Sequence, residues 1–151
     1  MTESVGAKPP NGDGDANATL ASIRAGYVEL TGSVPAAIET RLTLAARSGR
    51  TQAVALIEKL RAELIMANPL GRKLGQLVHF AQLLALGKEG PARLHVRAAR
   101  LAGASIEELV GVAELALITA GMPAYSLGVE IIGELIDEED SNADPGISNI
   151  G

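Results

Sequence analysis

Residues 87–124 read GKEGPARLHVRAARLAGASIEELVGVAELALITAGMPA. Glycines at 87, 103 and 121 divide the stretch into two helical blocks. In the first, Leu94, Ala98 and Leu101 mark an apolar stripe at helical spacing, and His95 borders it beside Ala92, Ala99 and Ala102. Arg93, Arg97 and Arg100 recur along the same helix at i, i+4 and i+7. In the second block, Ser105 and Glu108 form the S-x-x-E signature of a capping box, which starts a helix at Ile106. That helix runs to Ala120 and stops at Gly121. From Leu109 to Ala120 its only charged residue is Glu114. A helix apolar nearly all round is expected to be buried on more than one side, as a central helix or at a subunit interface.

Outward from this segment the chain continues to read as helix. A first helix is expected from about Leu20 to Leu30, stopped by Thr31-Gly32. A second follows Ser33, holds Pro35 in its first turn and runs to about Ser48, with Gly49 as its C-terminal cap. Thr51 is placed as the cap of a third, whose Val54, Ile57, Leu60 and Leu64 fall at helical spacing before Asn68-Pro69 ends it. A fourth spans about Leu70 to Leu86, the His95 helix is the fifth, and a last one runs from Pro123 to about Glu138. No alternating β-branched run bounded by turn residues is present. The expected fold is therefore all-α: one domain over 19–138 with six to seven helices. Residues 1–18, rich in Gly, Pro, Asn and Asp, read as a disordered arm, and 139–151 as an acidic flexible tail.

Composition narrows the chemistry. The chain has 151 residues, enough to bury roughly 70% of its unfolded surface in one core. Hydrophobic residues make up 47% and aromatic ones 2% (Tyr27, Phe80 and Tyr125), so the core must be built from Ala, Leu, Val and Ile. Cysteine is absent, which removes disulfides, thiolate metal sites and a thiol nucleophile. Net charge is -5 with no basic cluster backed by aromatics, so neither nucleic acid nor an anionic membrane is an expected partner. No apolar run approaches the roughly 20 residues of a membrane span. The first residues, MTESVGAKPPNGDGD, lack the apolar core of a secretory leader, and a cytoplasmic location is expected.

The chemistry-bearing residues each have two readings. His95 is either a satisfied, partly buried histidine or a general acid/base, a role that imidazole suits because its ordinary pKa of ~6.5 lies near neutral pH. His79 shares a helix face with Gln76 and Leu83 and is a helix-surface or interface histidine, or a second polar group in the same pocket. Neither histidine has a carboxylate at ligand spacing, so no metal is expected. Lys88 and Glu89 are placed in the turn before the His95 helix. Arg97 either lies on a solvated face or binds a substrate carboxylate bidentately. Glu114 either pairs with an arginine at an interface or sits in a pocket with a raised pKa. Tyr125 is a packed structural tyrosine or a cavity wall.

Taken in order, a glycine, His95, Gly103 eight residues later, Ser-x-x-Glu, an apolar helix and Ala120-Gly-Met-Pro-Ala124 resemble the carboxymuconolactone decarboxylase and alkylhydroperoxidase-D-like family. The resemblance implies an all-α protomer that self-associates as a trimer or hexamer. It also implies that His95 is the general acid/base and that the site uses no cofactor. The peroxidase branch carries C-x-x-C-x-x-x-H, whose cysteine positions are Lys88 and Pro91 here, so thiol peroxide chemistry is not available. The decarboxylase branch keeps an acid four residues before the histidine, where this chain has Pro91; the nearest acid is Glu89. The family's acid and aromatic in the next helix fall at Gly111 and Thr119. The expected activity is decarboxylation of a small unsaturated carboxylic acid or lactone, with His95, Glu89 and Glu114 as catalytic candidates. Arg97, Lys88, His79 and Tyr125 are the substrate-binding candidates. The alternatives are an isomerase or peroxidase-like relative lacking the cysteine pair, and a non-catalytic ligand-binding or assembly protein.

Overall fold

A computed structural model of the protein describes residues 12–143. Among the described residues there are seven helices and no strand. They are α1 (Gly12–Thr31), α2 (Ala36–Arg47), α3 (Thr51–Met66), α4 (Gly71–Ala85), α5 (Glu89–Leu101), α6 (Ile106–Ala120) and α7 (Met122–Ala143). The expected all-α class holds, and α6 starts and stops where its sequence signals lie. Glu108 N–H donates to Ser105 Oγ at 3.1 Å and Ser105 N–H donates to Glu108 Oε2 at 2.8 Å, closing the capping box.

Several boundaries differ from expectation. Thr51 is the first residue of α3 rather than its cap, which is Arg50. Pro35 is the N-cap of α2 and precedes its first turn. The arm expected over 1–18 is helical from Gly12, and residues 1–11 lie outside the described residues. Once Leu20 and Tyr27 are anchored in the core, each further turn toward the N-terminus adds a hydrogen bond without a new nucleation cost. The acidic tail expected from 139 is helical to Ala143, while 144–151 lie outside the described residues. Its carboxylates have cationic partners on α5: Glu138 accepts from Arg97, and Glu139 accepts from Arg100 at 2.8 Å.

Two apolar cores share the work. In the first, α4 to α7 pack around Phe80, Leu84, Val96, Leu109 and Ile131, all fully buried. Ala92, Ala99, Ala104 and Ala113 are also fully buried and let the helices approach closely. A smaller core of Leu20, Tyr27, Ile38, Leu42, Ala45 and Val54 joins α1, α2 and α3. The helix pairs α1–α5 and α3–α4 connect the two.

The apolar stripe read from α3 does not face this core. Val54 is buried, but Ile57, Leu60 and Leu64 point outward, with Leu60 59% exposed. The buried face carries Glu58 instead. Helix α6 likewise buries Leu109, Ala113 and Ala116 but exposes Leu115 and, at 81%, Ile118. Within one protomer α6 is therefore buried on one side only and is not a central helix of the bundle. No helix among the described residues is long and apolar enough to cross a membrane.

Gly128 marks the tightest crossing. A Cβ there would lie 2.7 Å from Ala113 Cβ and 3.0 Å from Leu84 Cδ1, whereas one at Gly133, on the same helix, would meet nothing within 4 Å. Gly128→Ala should cost about 1–3 kcal/mol by overpacking. Gly133→Ala should be neutral or stabilise by roughly 0.5–1 kcal/mol, since it removes backbone freedom from the unfolded chain. Urea denaturation of both variants checks this; equal midpoints would contradict the α6–α7 contact.

Candidate acid-base site between α3, α4 and α5

The site begins with two helix faces. On α4, Gln76 and His79 lie three residues apart and so on one side of the helix. On α5, His95 sits among Ala92, Val96, Ala98 and Ala99, all buried. Packing α5 on α4 brings these groups together. His95 is 3% exposed and Gln76 2%. Their side chains meet with His95 Nδ1 2.7 Å from Gln76 Oε1. An amide oxygen only accepts, so Nδ1 carries the proton and donates, leaving a lone pair on Nε2. The His79 ring lies over His95, with centroids 4.0 Å apart and planes tilted by 39°.

Electrostatics keeps this pair neutral. Burial pushes the His95 pKa down to about 3, with further lowering from His79 and from Arg61. His79 is lowered first by burial and then by the Arg61 charge. A second positive charge beside Arg61 in a poorly solvated site is disfavoured, so both imidazoles are neutral at pH 7.

A cavity of about 340 Å³ opens over His79. Gln76, His79, Arg61, Asn68 and Gln82 give it polar groups, and Leu64, Ile65, Leu70 and Val78 apolar ones. His95 is not in its wall; it lies behind Gln76 and His79. Arg61 comes from α3 and is held in place from below. Its NH1 donates to Glu58 Oε2 at 2.8 Å, and its guanidinium carbon stands 5.3 Å from the centre of the Tyr27 ring. Glu58 is 9% exposed and also accepts from Tyr27 OH at 2.9 Å and from Arg41 NH1 at 2.7 Å. Burial lowers the Arg61 pKa, but a guanidinium so shifted stays charged near neutral pH.

Of the residues singled out in the sequence, the structure brings together His95 and His79 only. Lys88 is the exposed N-cap of α5. Glu89 is the first residue of that helix, not part of a turn, and pairs with Arg93. Arg97 is two residues from His95 and thus nearly opposite it around the helix. It pairs with Glu138 of α7. Arg93 joins the same face, donating to Glu134 Oε2 at 2.7 Å and to Glu130 Oε1 at 3.0 Å. Glu114 is exposed on the outer side of α6, so it occupies no pocket in the protomer. Tyr125 packs against the α4–α7 core. None of these six lines the cavity. Sequence reasoning missed Arg61, Asn68, Gln82 and the Glu58–Tyr27 support. The available signal was the spacing Val54, Glu58, Arg61, Ile65, a second helical stripe on α3 hidden by its more apolar neighbour.

The pattern of the carboxymuconolactone decarboxylase family matches residues 51–132, more than half of the chain. The matched span contains Arg61, Gln76, His79 and His95. In three dimensions the chain is similar to the crystal structure of a protein from Burkholderia xenovorans LB400 named provisionally as a carboxymuconolactone decarboxylase. The TM-score is 0.69 at 22% identity, covering 85% of this chain and 96% of that one. At that identity the likeness is one of fold. No curated protein matches the chain in sequence.

The neutral pair makes stability depend on pH. The unfolded chain protonates His95 near 6.5 and the folded one near 3. Stability is therefore complete above pH 6.5 and is lost as pH falls toward 3. Carboxylates such as Glu134 and Glu139 are held low by their arginines and add their own loss only at more acid pH. Between pH 7 and pH 5 the histidine should account for a drop of about 2 kcal/mol. Urea titrations at the two pH values, with His95→Gln reducing the difference, check this; a pH-independent midpoint in the unmodified protein would contradict the buried neutral imidazole.

Proposed function

This chain belongs to the carboxymuconolactone decarboxylase family, and from that premise we propose that it is a cofactor-free lyase acting on a small unsaturated carboxylic acid or lactone. The observation that carries the reading is His79, backed by the tilted His95 ring, in a cavity that also holds a fixed guanidinium, Arg61. Such a reaction needs a cation to hold the substrate anion and a positioned proton donor. As carbon dioxide leaves, its bonding electron pair passes into the conjugated system, and the resulting dienolate takes a proton at carbon.

Arg61 is the carboxylate-binding cation of this proposal, in place of Arg97, which is engaged with Glu138 on the far side of α5. His79 is the proton donor, because it lines the cavity and His95 does not. An anionic substrate beside His79 offsets the Arg61 charge and favours the imidazolium that the proton transfer requires. His95, hydrogen-bonded to Gln76 and with its ring 4.0 Å from that of His79, positions His79 by packing against it. The same arrangement would serve an isomerase moving a double bond in a related acid.

Self-association belongs to the same proposal. The outward leucines of α3 and the outward Leu115 and Ile118 of α6 form apolar surface of the kind that marks subunit contacts. A trimer or hexamer is expected in light scattering, and a monomer at micromolar concentration would contradict it.

The catalytic test starts from a screen of unsaturated lactone acids, followed by carbon dioxide release. His79→Gln should cut kcat roughly 100-fold or more, the usual size of a lost proton-transfer group. His95→Gln should also lower kcat and move its pH dependence. Arg61→Gln should raise KM at least tenfold, and Arg97→Gln should change neither constant much. Full turnover by His79→Gln would remove the proton-donor role, and turnover of no acid in the screen would favour a binding protein.

A further inference from the structure

A second and larger cavity, about 600 Å³, lies between α1 and α3. Arg61 and Ile65 stand in the walls of both cavities and so form the partition between them. We propose that the α1–α3 cavity binds a monoanionic amphiphile, an acyl carboxylate whose head meets Arg61 and whose chain lies along α1. The proposal does not rest on the decarboxylase reading, and the α1 wall lies outside the family match at 51–132.

Three observations carry it. The first is size and lining. The volume falls within the range typical of small-molecule sites, and such sites are mostly apolar with a few placed polar groups. Here Ile23, Leu30 and Met66 supply apolar surface, Tyr27, Glu58 and Arg61 form a hydrogen-bonded polar group, and Thr19, Ser22, Glu29 and Lys59 add polar side chains elsewhere in the wall.

The second is why the space stays open. Gly26 faces it from α1, and a Cβ built there meets nothing within 4 Å. Gly26 lies mid-helix with ordinary helical backbone, so no turn geometry calls for glycine at this point. A glycine in a helix interior is destabilising by roughly 0.5–1 kcal/mol relative to Ala. With no side chain at this exposed position, the groove between α1 and α3 stays open.

The third is charge. Glu58 has two guanidinium partners, Arg41 and Arg61. Glu29, also in the wall, has Arg72 at 3.9 Å. In the wall itself Arg61 and Lys59 stand beside Glu58 and Glu29; Arg41 and Arg72 reach these carboxylates from outside it, so that the single charge of Glu58 is shared by two guanidiniums. An anionic head completes that cluster and a cationic one opposes it. Desolvation of Arg61 strengthens its bond to such an anion, because charge-assisted hydrogen bonds gain where water is scarce.

The test is isothermal titration of the full chain, stripped of bound lipid, with decanoate and with the uncharged decanol. One decanoate should bind per chain, and decanol at least tenfold more weakly. Arg61→Gln should abolish that preference. Gly26→Leu should weaken decanoate at least tenfold while leaving helicity and the urea midpoint unchanged or raised. His79→Gln should leave decanoate binding within twofold, so that failure of the catalytic reading and failure of this one are told apart. Absence of saturable binding, equal affinity for decanol, or unaltered affinity in Gly26→Leu each overturns the proposal. So does a Gly26→Leu protein that changes its oligomer size while decanoate fails to bind the unmodified chain, which would assign the cavity to a second copy.

Discussion

The buried carboxylate of Glu58 is the point on which the N-terminal half of the protein depends. Tyr27 of α1, Arg41 of α2 and Arg61 of α3 all reach the same two oxygens. Three helices that share only a small apolar core are thus registered against each other by one polar knot. A buried charge without partners is strongly unfavourable, and removing one member of such a group commonly costs about 3–5 kcal/mol. The knot also fixes where Arg61 points. A flexible surface arginine would be a poor ligand for an anion, whereas one clamped by a carboxylate and laid over a tyrosine ring is preorganised. Stability and site geometry are in this sense the same interaction.

The histidine pair answers to the opposite requirement. Glu58 is tolerated because it is charged and compensated; His95 is tolerated because it is uncharged and hydrogen-bonded. Gln76 makes this possible by being an acceptor without a charge. A carboxylate in its place would draw a proton onto the imidazole and hold it there. With an amide the ring keeps one defined tautomer and a free lone pair. Arg61, standing near both rings, adds to the pressure against protonation. The cavity therefore presents a fixed positive charge and an uncharged imidazole, His79, with the uncharged His95 behind it.

Much of this was legible in the sequence, and what was hidden was hidden for physical reasons. The capping box at Ser105 and the stop at Gly121 marked α6 to the residue, since both are local hydrogen-bonding or backbone effects. The order of motifs around His95 pointed to the family that the chain belongs to. Orientation was harder. On α3 the more apolar stripe proved to be the outward one, because hydrophobicity says that a face is covered but not by what. Arg97 looked near His95 along the chain, yet two residues on a helix separate side chains by about half a turn. Arg61 and Glu58 had no local signature at all; their significance arises from α1 and α2, which lie far away in the chain. The helical reach of α7 past Glu138 was likewise set by arginines some forty residues earlier.

That last stretch of α7 behaves differently from the rest of the bundle. Ile131, Ile132 and Leu135 hold its middle by burial, but beyond Ile136 the helix exposes Asp137, Glu138 and Asp140 and is tied back through Arg97 and Arg100. Ion pairs this exposed are screened within a Debye length of about 8 Å at physiological ionic strength, while apolar burial is not. The C-terminal turns are therefore a separately melting unit whose opening free energy is set by the electrolyte around it rather than by the core. Amide exchange there would report salt concentration, with the bundle beneath unaffected.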